Sequence, residues 1–186
     1  MSEAGMLDVV IQRQASRIIS SVLTIDEMLE ELIGITVEHT GCDACLIYLL
    51  EPETGDLVLR ASQRTHDKQI GSLRLKVGEG VTGWVAEHRE AAVIDQGAWL
   101  DPRFRGFSDL EEDTYEAFLS APMISGGELV GVINVHHQYA REHEAREISL
   151  MSFIGEMMGC AIAKAQLADE VCVLRARLQA SHQAIA

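Results

Sequence analysis

In the first quarter of the chain, apolar residues recur at three- and four-residue steps. Leu7, Val10, Ile11, Ile18, Ile19 and Val22 share one stripe and predict an amphipathic helix from Leu7 to about Leu23. Thr24 and Glu27 then bracket a capping box: the threonine hydroxyl can accept from the Glu27 amide, and the glutamate carboxylate can reach back. A second helix starts there, with Met28, Leu29, Leu32, Ile33 and Val37 as its buried stripe and Gly41 as its stop.

Short apolar or alternating runs follow. Cys45 to Leu50 and Leu57 to Ala61 flank a polar segment holding Pro52 and Gly55, which predicts a hairpin. Leu73 to Val77 alternates, as a strand does when one face is wet at the periphery of an antiparallel sheet. Val81 to His88 reads as a short helix and Ala91 to Asp95 as a strand. Gln96 to Ala117 is irregular and carries Trp99, Phe104, Phe107 and Tyr115. Aromatics on so long a loop predict a packed lid. Phe118 to Ile124 and Leu129 to Val135 form a second hairpin across Gly126 and Gly127, which permit the backbone angles of a tight turn.

From His143 a helical pattern of about 40 residues runs nearly to the C-terminus, roughly 60 Å of helix and more than the domain needs. Gly155, Gly159 and Ala163 form a small-residue stripe that allows close backbone approach. Leu167, Val171, Leu174, Leu178 and Ile185 keep a heptad rhythm that only Ser181 breaks. A seam beyond the domain cannot be buried by it, so a second copy of the chain is the expected partner. The predicted homodimer interface comprises Ile11, Ile18, Val22, Leu167, Val171, Leu174 and Leu178. The chain thus divides into an N-terminal dimerisation helix (1–23), an α+β domain (24–166) and a heptad-like signalling helix (167–186).

Composition narrows the function classes. Fifteen basic against 29 acidic residues leave a formal charge of -14, a field that repels phosphate backbones and anionic lipid surfaces. Neither nucleic acid nor membrane is an expected partner. The start of the chain lacks the charged and apolar regions of a signal peptide, and no apolar run approaches a bilayer span, so a cytoplasmic location is expected. There the four cysteines stay as thiols.

Candidate chemistry is sparse. Gly78 to Gly83 spells G-x-G-x-x-G between a strand and a helix. The helix after it is too short for a parallel crossover and the strand before it is half polar, so the glycines are read as enabling a tight strand-to-helix turn, with an anion cradle as the alternative. Cys42 and Cys45 form a lone C-x-x-C without a second pair and are read as structural. His136 and His137 are adjacent in a strand, point to opposite faces and cannot chelate one ion together. His143 lies nearby, but no metal site is assigned. No nucleophile elbow, P-loop or H-E-x-x-H string is present.

This order of elements resembles the GAF domain family. The resemblance spans about Thr24 to Leu167 and rests on Val77 to Glu87 (V-G-E-G-V-T-G-W-V-A-E), Asp101 to Phe104, Ser120 to Ile124 and Leu129 to Val135. It implies a GAF/PAS-like six-stranded antiparallel sheet, with the terminal helices on one face and a pocket on the other. Loops around Val81 to Phe118 would cover that pocket. Its expected lining is Gly80, Val81, Gly83, Trp84, Asp95, Trp99, Phe104, Phe107, Tyr115, Phe118 and Ser120. The family's ligands are diverse, and no cofactor is assigned here. No cysteine lies between Cys45 and Cys160 to serve as a bilin-attaching or methionine sulfoxide reductase thiol. Asn134 is followed by Val135 and His136, not by the cyclic-nucleotide signature of phosphodiesterase relatives.

The resemblance implies a non-catalytic sensor that binds an unidentified small molecule and signals through dimeric helices. Because the chain closes without an output unit, a downstream signalling protein is the expected receiver. The alternatives are a ligand-free dimerisation scaffold and a thiol-based redox enzyme of the sulfoxide reductase kind.

Overall fold

The computed structural model describes residues 3–21, 23–63, 69–105 and 115–185. Val22 and Phe107 lie outside them. Helix α1 spans Glu3–Ser20 and α2 spans Ile25–Thr40. The capping box forms as read from the sequence: the Glu27 amide donates to Thr24 Oγ1 at 3.3 Å, and the Thr24 amide donates to Glu27 Oε2 at 2.8 Å. Gly41 closes α2, its amide donating to the Val37 carbonyl.

Six strands follow: β1 (Ala44–Glu51), β2 (Asp56–Ser62), β3 (Arg74–Lys76), β4 (Ala92–Ile94), β5 (Ala117–Ser125) and β6 (Glu128–His137). Helix α3 (Gly80–His88) sits between β3 and β4, and α4 (Ala145–Ile185) closes the chain. All pairings are antiparallel, in the order β3-β2-β1-β6-β5-β4. The expected α+β class and six-stranded sheet are therefore observed. The edge strands are shorter than their apolar runs suggested, three residues each.

Strand alternation divides the interior into two cores. Cys45, Ile47, Leu49, Leu119, Ala121, Met123, Ile133 and Val135 face α1, α2 and α4. On the opposite face Leu46, Tyr48, Leu57, Leu59, Phe118 and Val132 meet Val81, Val85 and Ala86 of α3. The long helix lies against β5 through its small residues. A Cβ added at Gly155 would come 2.3 Å from the Pro122 carbonyl oxygen, and one at Gly159 would come 2.6 Å from the Ile124 amide nitrogen. Such approach is open to glycine alone.

Two expectations change here. Ile11 and Ile18 are 1% and 4% exposed, within the core shared by α1, α2 and α4 of the same chain. Their stripe is spent on folding, and they are not available to a second copy as sequence periodicity suggested. Second, Ala145–Gln179 is long and apolar enough by length and composition to cross a membrane, contrary to the reading of the sequence. Much of that apolarity serves the sheet contact, since Met151, Ile154, Met158, Ala161 and Ile162 are all buried beneath it.

Candidate functional site

The face under α3 is apolar apart from one polar row and the His136 imidazole in the row beside it. Register places Ala92 beside Ser120, Ser120 beside Asn134, and Asn134 beside Leu46, so two polar side chains cross the centre of an apolar floor. Ser120 and Asn134 are each 1% exposed. From above, Thr82 of α3 meets Asn134, whose Nδ2 donates to Thr82 Oγ1 at 3.0 Å. Asn134 Oδ1 has no partner. An unmet buried polar atom costs about 1–3 kcal/mol, so it marks a place where a ligand can supply what the fold does not.

The next row is aromatic. Phe118 stacks on His136 at 4.0 Å between centroids and 12° between planes, and Tyr115 lies 5.2 Å from the same imidazole. Phe104 leans on Phe118 at 5.9 Å. His136 thus faces the α3 side while His137 faces away, as adjacent strand residues must.

The strand-to-helix turn leading into α3 explains the glycine string. Gly78 and Gly80 take φ values of 86° and 69°. A Cβ at Gly83 would come 2.5 Å from the Lys76 carbonyl oxygen. Two amides are spent inside the turn: Gly78 donates to the Gly83 carbonyl at 2.8 Å, and Glu79 donates to the Lys76 carbonyl at 3.0 Å. The Glu79 carboxylate accepts from the Lys76 amide and pairs with Arg105. An anion held at this turn would meet the Glu79 carboxylate. The tight-turn reading stands.

The outer wall is charged and paired. Arg103 grips Asp101 through Nε and Nη2 at 2.9 and 2.8 Å, and its guanidinium lies 4.7 Å from the Trp84 ring centroid. Those hydrogen bonds hold the Asp101 carboxyl below its ordinary range.

Of the residues expected to line a pocket, Val81, Tyr115, Phe118 and Ser120 are buried on the α3 face, with Phe104 half-buried beside them. Gly80 and Gly83 shape the turn, and Trp84 packs under Arg103. Two expected lining residues lie elsewhere. Trp99 is 48% exposed, because its three-residue 3-10 turn (Ala98–Leu100) buries Ala98 instead. Asp95 follows directly on β4 and is tied to the loop before α4, where Oδ1 accepts from the His143 amide at 3.0 Å and meets His143 Nδ1 at 2.9 Å. Thr82, Asn134 and Arg103 were not foreseen. The signal for Asn134 was present: it is an amide at an inward position of the apolar Leu129 to Val135 run.

Comparison with known proteins gives this geometry a family. The GAF domain signature matches residues 24–162. A regulatory relative, the Nif-specific regulatory protein of Herbaspirillum seropedicae, is 22% identical over 95% of this chain. The chain spans 35% of that relative's length. Among solved structures, the GAF domain of a phosphoenolpyruvate-protein phosphotransferase from Coxiella burnetii superposes with a TM-score of 0.82 at 28% identity, covering 91% of this chain and 99% of that one. Free methionine-R-sulfoxide reductase from Neisseria meningitidis, in complex with its substrate, superposes with a TM-score of 0.74 at 15% identity, covering 90% and 95%. At that identity the likeness shows the fold alone.

Proposed function

The chain belongs to the GAF domain family of signal-sensing modules, and we propose that it is a non-catalytic sensor whose small-molecule ligand binds beneath α3 and biases the position of α4. One observation carries this reading: the buried Asn134 amide, held by Thr82 on one side and unmatched on the other, in the middle of an apolar floor. Its chemistry suits a compact ligand with an apolar or planar body, for Phe118 and Tyr115, and one hydrogen-bond donor.

The route to output is one strand thick. Phe118 and Ser120 face the α3 side of β5, while Leu119, Ala121 and Met123 on its other face pack in the core that includes α4. Displacing β5 by a fraction of an ångström displaces the backbone on which Gly155 and Gly159 rest. A ligand shifts α4 only by the free energy with which it prefers one arrangement, typically 1–3 kcal/mol.

Beyond the sheet, Leu167, Val171 and Leu174 are 61%, 46% and 56% exposed at heptad spacing. That pattern supports a parallel pairing of two α4 helices as the dimer and the output rod. The non-catalytic reading is supported by the thiols. Cys42 and Cys45 are buried in the core opposite α3, and burial pushes the Cys45 thiol well above its ordinary range.

The test is native mass spectrometry of freshly purified chain beside Asn134→Leu. The reading expects a dimer carrying a small molecule that the variant fails to retain, with the dimer intact. A wild-type chain that retains nothing, and that no metabolite in a thermal-shift screen stabilises, would refute it.

A further inference from the structure

At the base of α4, away from α3, three residues from different elements converge: His137 at the end of β6, His143 in the following loop and Glu147 in the first turn of α4. Each offers one ligand atom, and these atoms all lie within 4.8 Å of one another. Both histidines are buried, at 5% exposure each. Nε2 of His137 and Nε2 of His143 have no hydrogen-bond partner, an unusual condition for two buried nitrogens side by side.

The surroundings resolve which atom is available. His143 Nδ1 lies 2.9 Å from Asp95 Oδ1, a contact in which the ring donates and the carboxylate accepts. That fixes the tautomer and leaves the Nε2 lone pair facing inward. Carboxylate, imidazole and an inward lone pair form the outer-shell arrangement that orients metal-ligating histidines and raises their basicity. Glu147 is held by Arg141, whose Nη2 lies 3.1 Å from both carboxylate oxygens, and each oxygen keeps a further lone pair. Beside the cluster lies a groove of about 300 Å³, lined by Glu142, Glu144 and Glu147 together with Arg141, Arg146, His39 and Leu150.

We propose that His137, His143 and Glu147 form a binding site for a borderline divalent first-row cation of the Zn2+ type, with Asp95 as the outer-shell carboxylate. Two imidazoles and one carboxylate form a donor set suited to zinc or ferrous iron and ill suited to Mg2+ or Ca2+, which take oxygen ligands. Bonds of about 2.0–2.1 Å in tetrahedral geometry place ligand atoms about 3.3 Å apart, so the widest pair closes by up to about 1.5 Å on binding. The first turn of α4 and the loop before it make that adjustment. The fourth position is left to water or an exogenous ligand. Because its ligands come from the end of β6, the connecting loop and the start of α4, the ion would pin the long helix to the sheet at its root. Nothing in this site depends on a ligand beneath α3.

The experiment uses the full chain, stripped with chelator and titrated with Co2+ and Zn2+, beside His137→Gln, His143→Gln, Asp95→Asn and Cys160→Ser/Cys172→Ser. The expected result is one Co2+ per chain, with visible d–d absorption and no thiolate charge-transfer band, displaced by one Zn2+. The paired cysteine substitution should leave this unchanged. Asp95→Asn should weaken affinity by about 10–100-fold, and each histidine variant by more than about 100-fold. Circular dichroism of each stripped variant separates lost binding from lost folding, and the wild-type spectrum needs no variant at all. A wild-type chain that takes up no metal overturns the proposal. So does binding with a thiolate band, or binding that survives both histidine substitutions.

Discussion

Gly155→Ala adds one methyl group, and the structure predicts that the chain loses stability although alanine is the better helix former. In a helix interior the substitution would ordinarily gain about 1 kcal/mol. Here the new Cβ would lie 2.3 Å from the Pro122 carbonyl oxygen, where ordinary contact begins at 3.4 Å, so α4 must retreat by 3.4 - 2.3 = 1.1 Å. The obstacle is backbone, which no change of rotamer relieves. Met151, Ile154, Met158 and Ile162 are buried under the same helix and would retreat with it. A gap of 0.5–1 Å forfeits about a quarter to a half of each dispersion well, and overpacking costs about 1–3 kcal/mol. Near the upper end of that range, less the propensity gain, Gly155→Ala is destabilised by about 1–2 kcal/mol. The melting temperature should fall by about 2–8 °C in a chain of this size. Gly34 in α2 is the internal control: nothing lies within 4 Å of a Cβ built there, so Gly34→Ala keeps the propensity gain and should melt about 2–4 °C higher. Urea and thermal unfolding followed by far-ultraviolet circular dichroism measure both. A Gly155→Ala chain as stable as wild type, beside a stabilised Gly34→Ala, would refute the close seat of α4 on β5.

Three further expectations concern other parts of the molecule. Val171→Glu with Leu174→Glu places like charges on the exposed seam and should turn a dimer into a folded monomer in sedimentation velocity; a dimer that survives would move the interface elsewhere. The native chain should yield two fast thiols, Cys160 and Cys172, and two that react only on unfolding, Cys42 and Cys45, whose pKa values burial raises. Four fast thiols in an Ellman titration would contradict that burial. Asp101 is held below its ordinary value of 3.8 chiefly by the Arg103 hydrogen bond. Its contribution to stability is therefore present above that value and lost as pH falls through the lowered one. Asp101→Asn should flatten the acid limb of the stability profile, and an unchanged limb would show that the pair does not matter.

Features governed by neighbours in the chain were the legible ones. The Thr24–Glu27 capping box, the stop at Gly41, the turn at Gly126 and Gly127, and the division between His136 and His137 follow from local rules that tertiary packing did not override. The small-residue stripe at Gly155 and Gly159 was legible as close approach, though not that a strand would be the surface approached. What failed depended on which of two apolar surfaces a side chain meets. Periodicity marks Ile11, Ile18, Leu167 and Val171 alike, yet the first two are buried in their own chain and the last two are exposed. Trp99 counts as apolar in any composition, but a three-residue turn decides its direction. The cluster of Asp95, His137, His143 and Glu147 draws on a strand end, a second strand end, a loop and a helix start. Its members share no spacing that a motif could capture, and a reading of local chemistry left them apart.

The sheet's borders limit how such a chain can associate. Both outer strands, β3 and β4, are three residues long, and on β3 the exposed Arg74 and Lys76 pair with Glu51 and Asp56. Borders so brief, one of them fenced by charge, present few free backbone groups to an incoming strand. Copies that crowd together therefore find little on β3 or β4 with which to stitch their sheets into a continuous ribbon. A module of this build can be duplicated, tethered in series or spliced ahead of other domains with little risk of fibre formation.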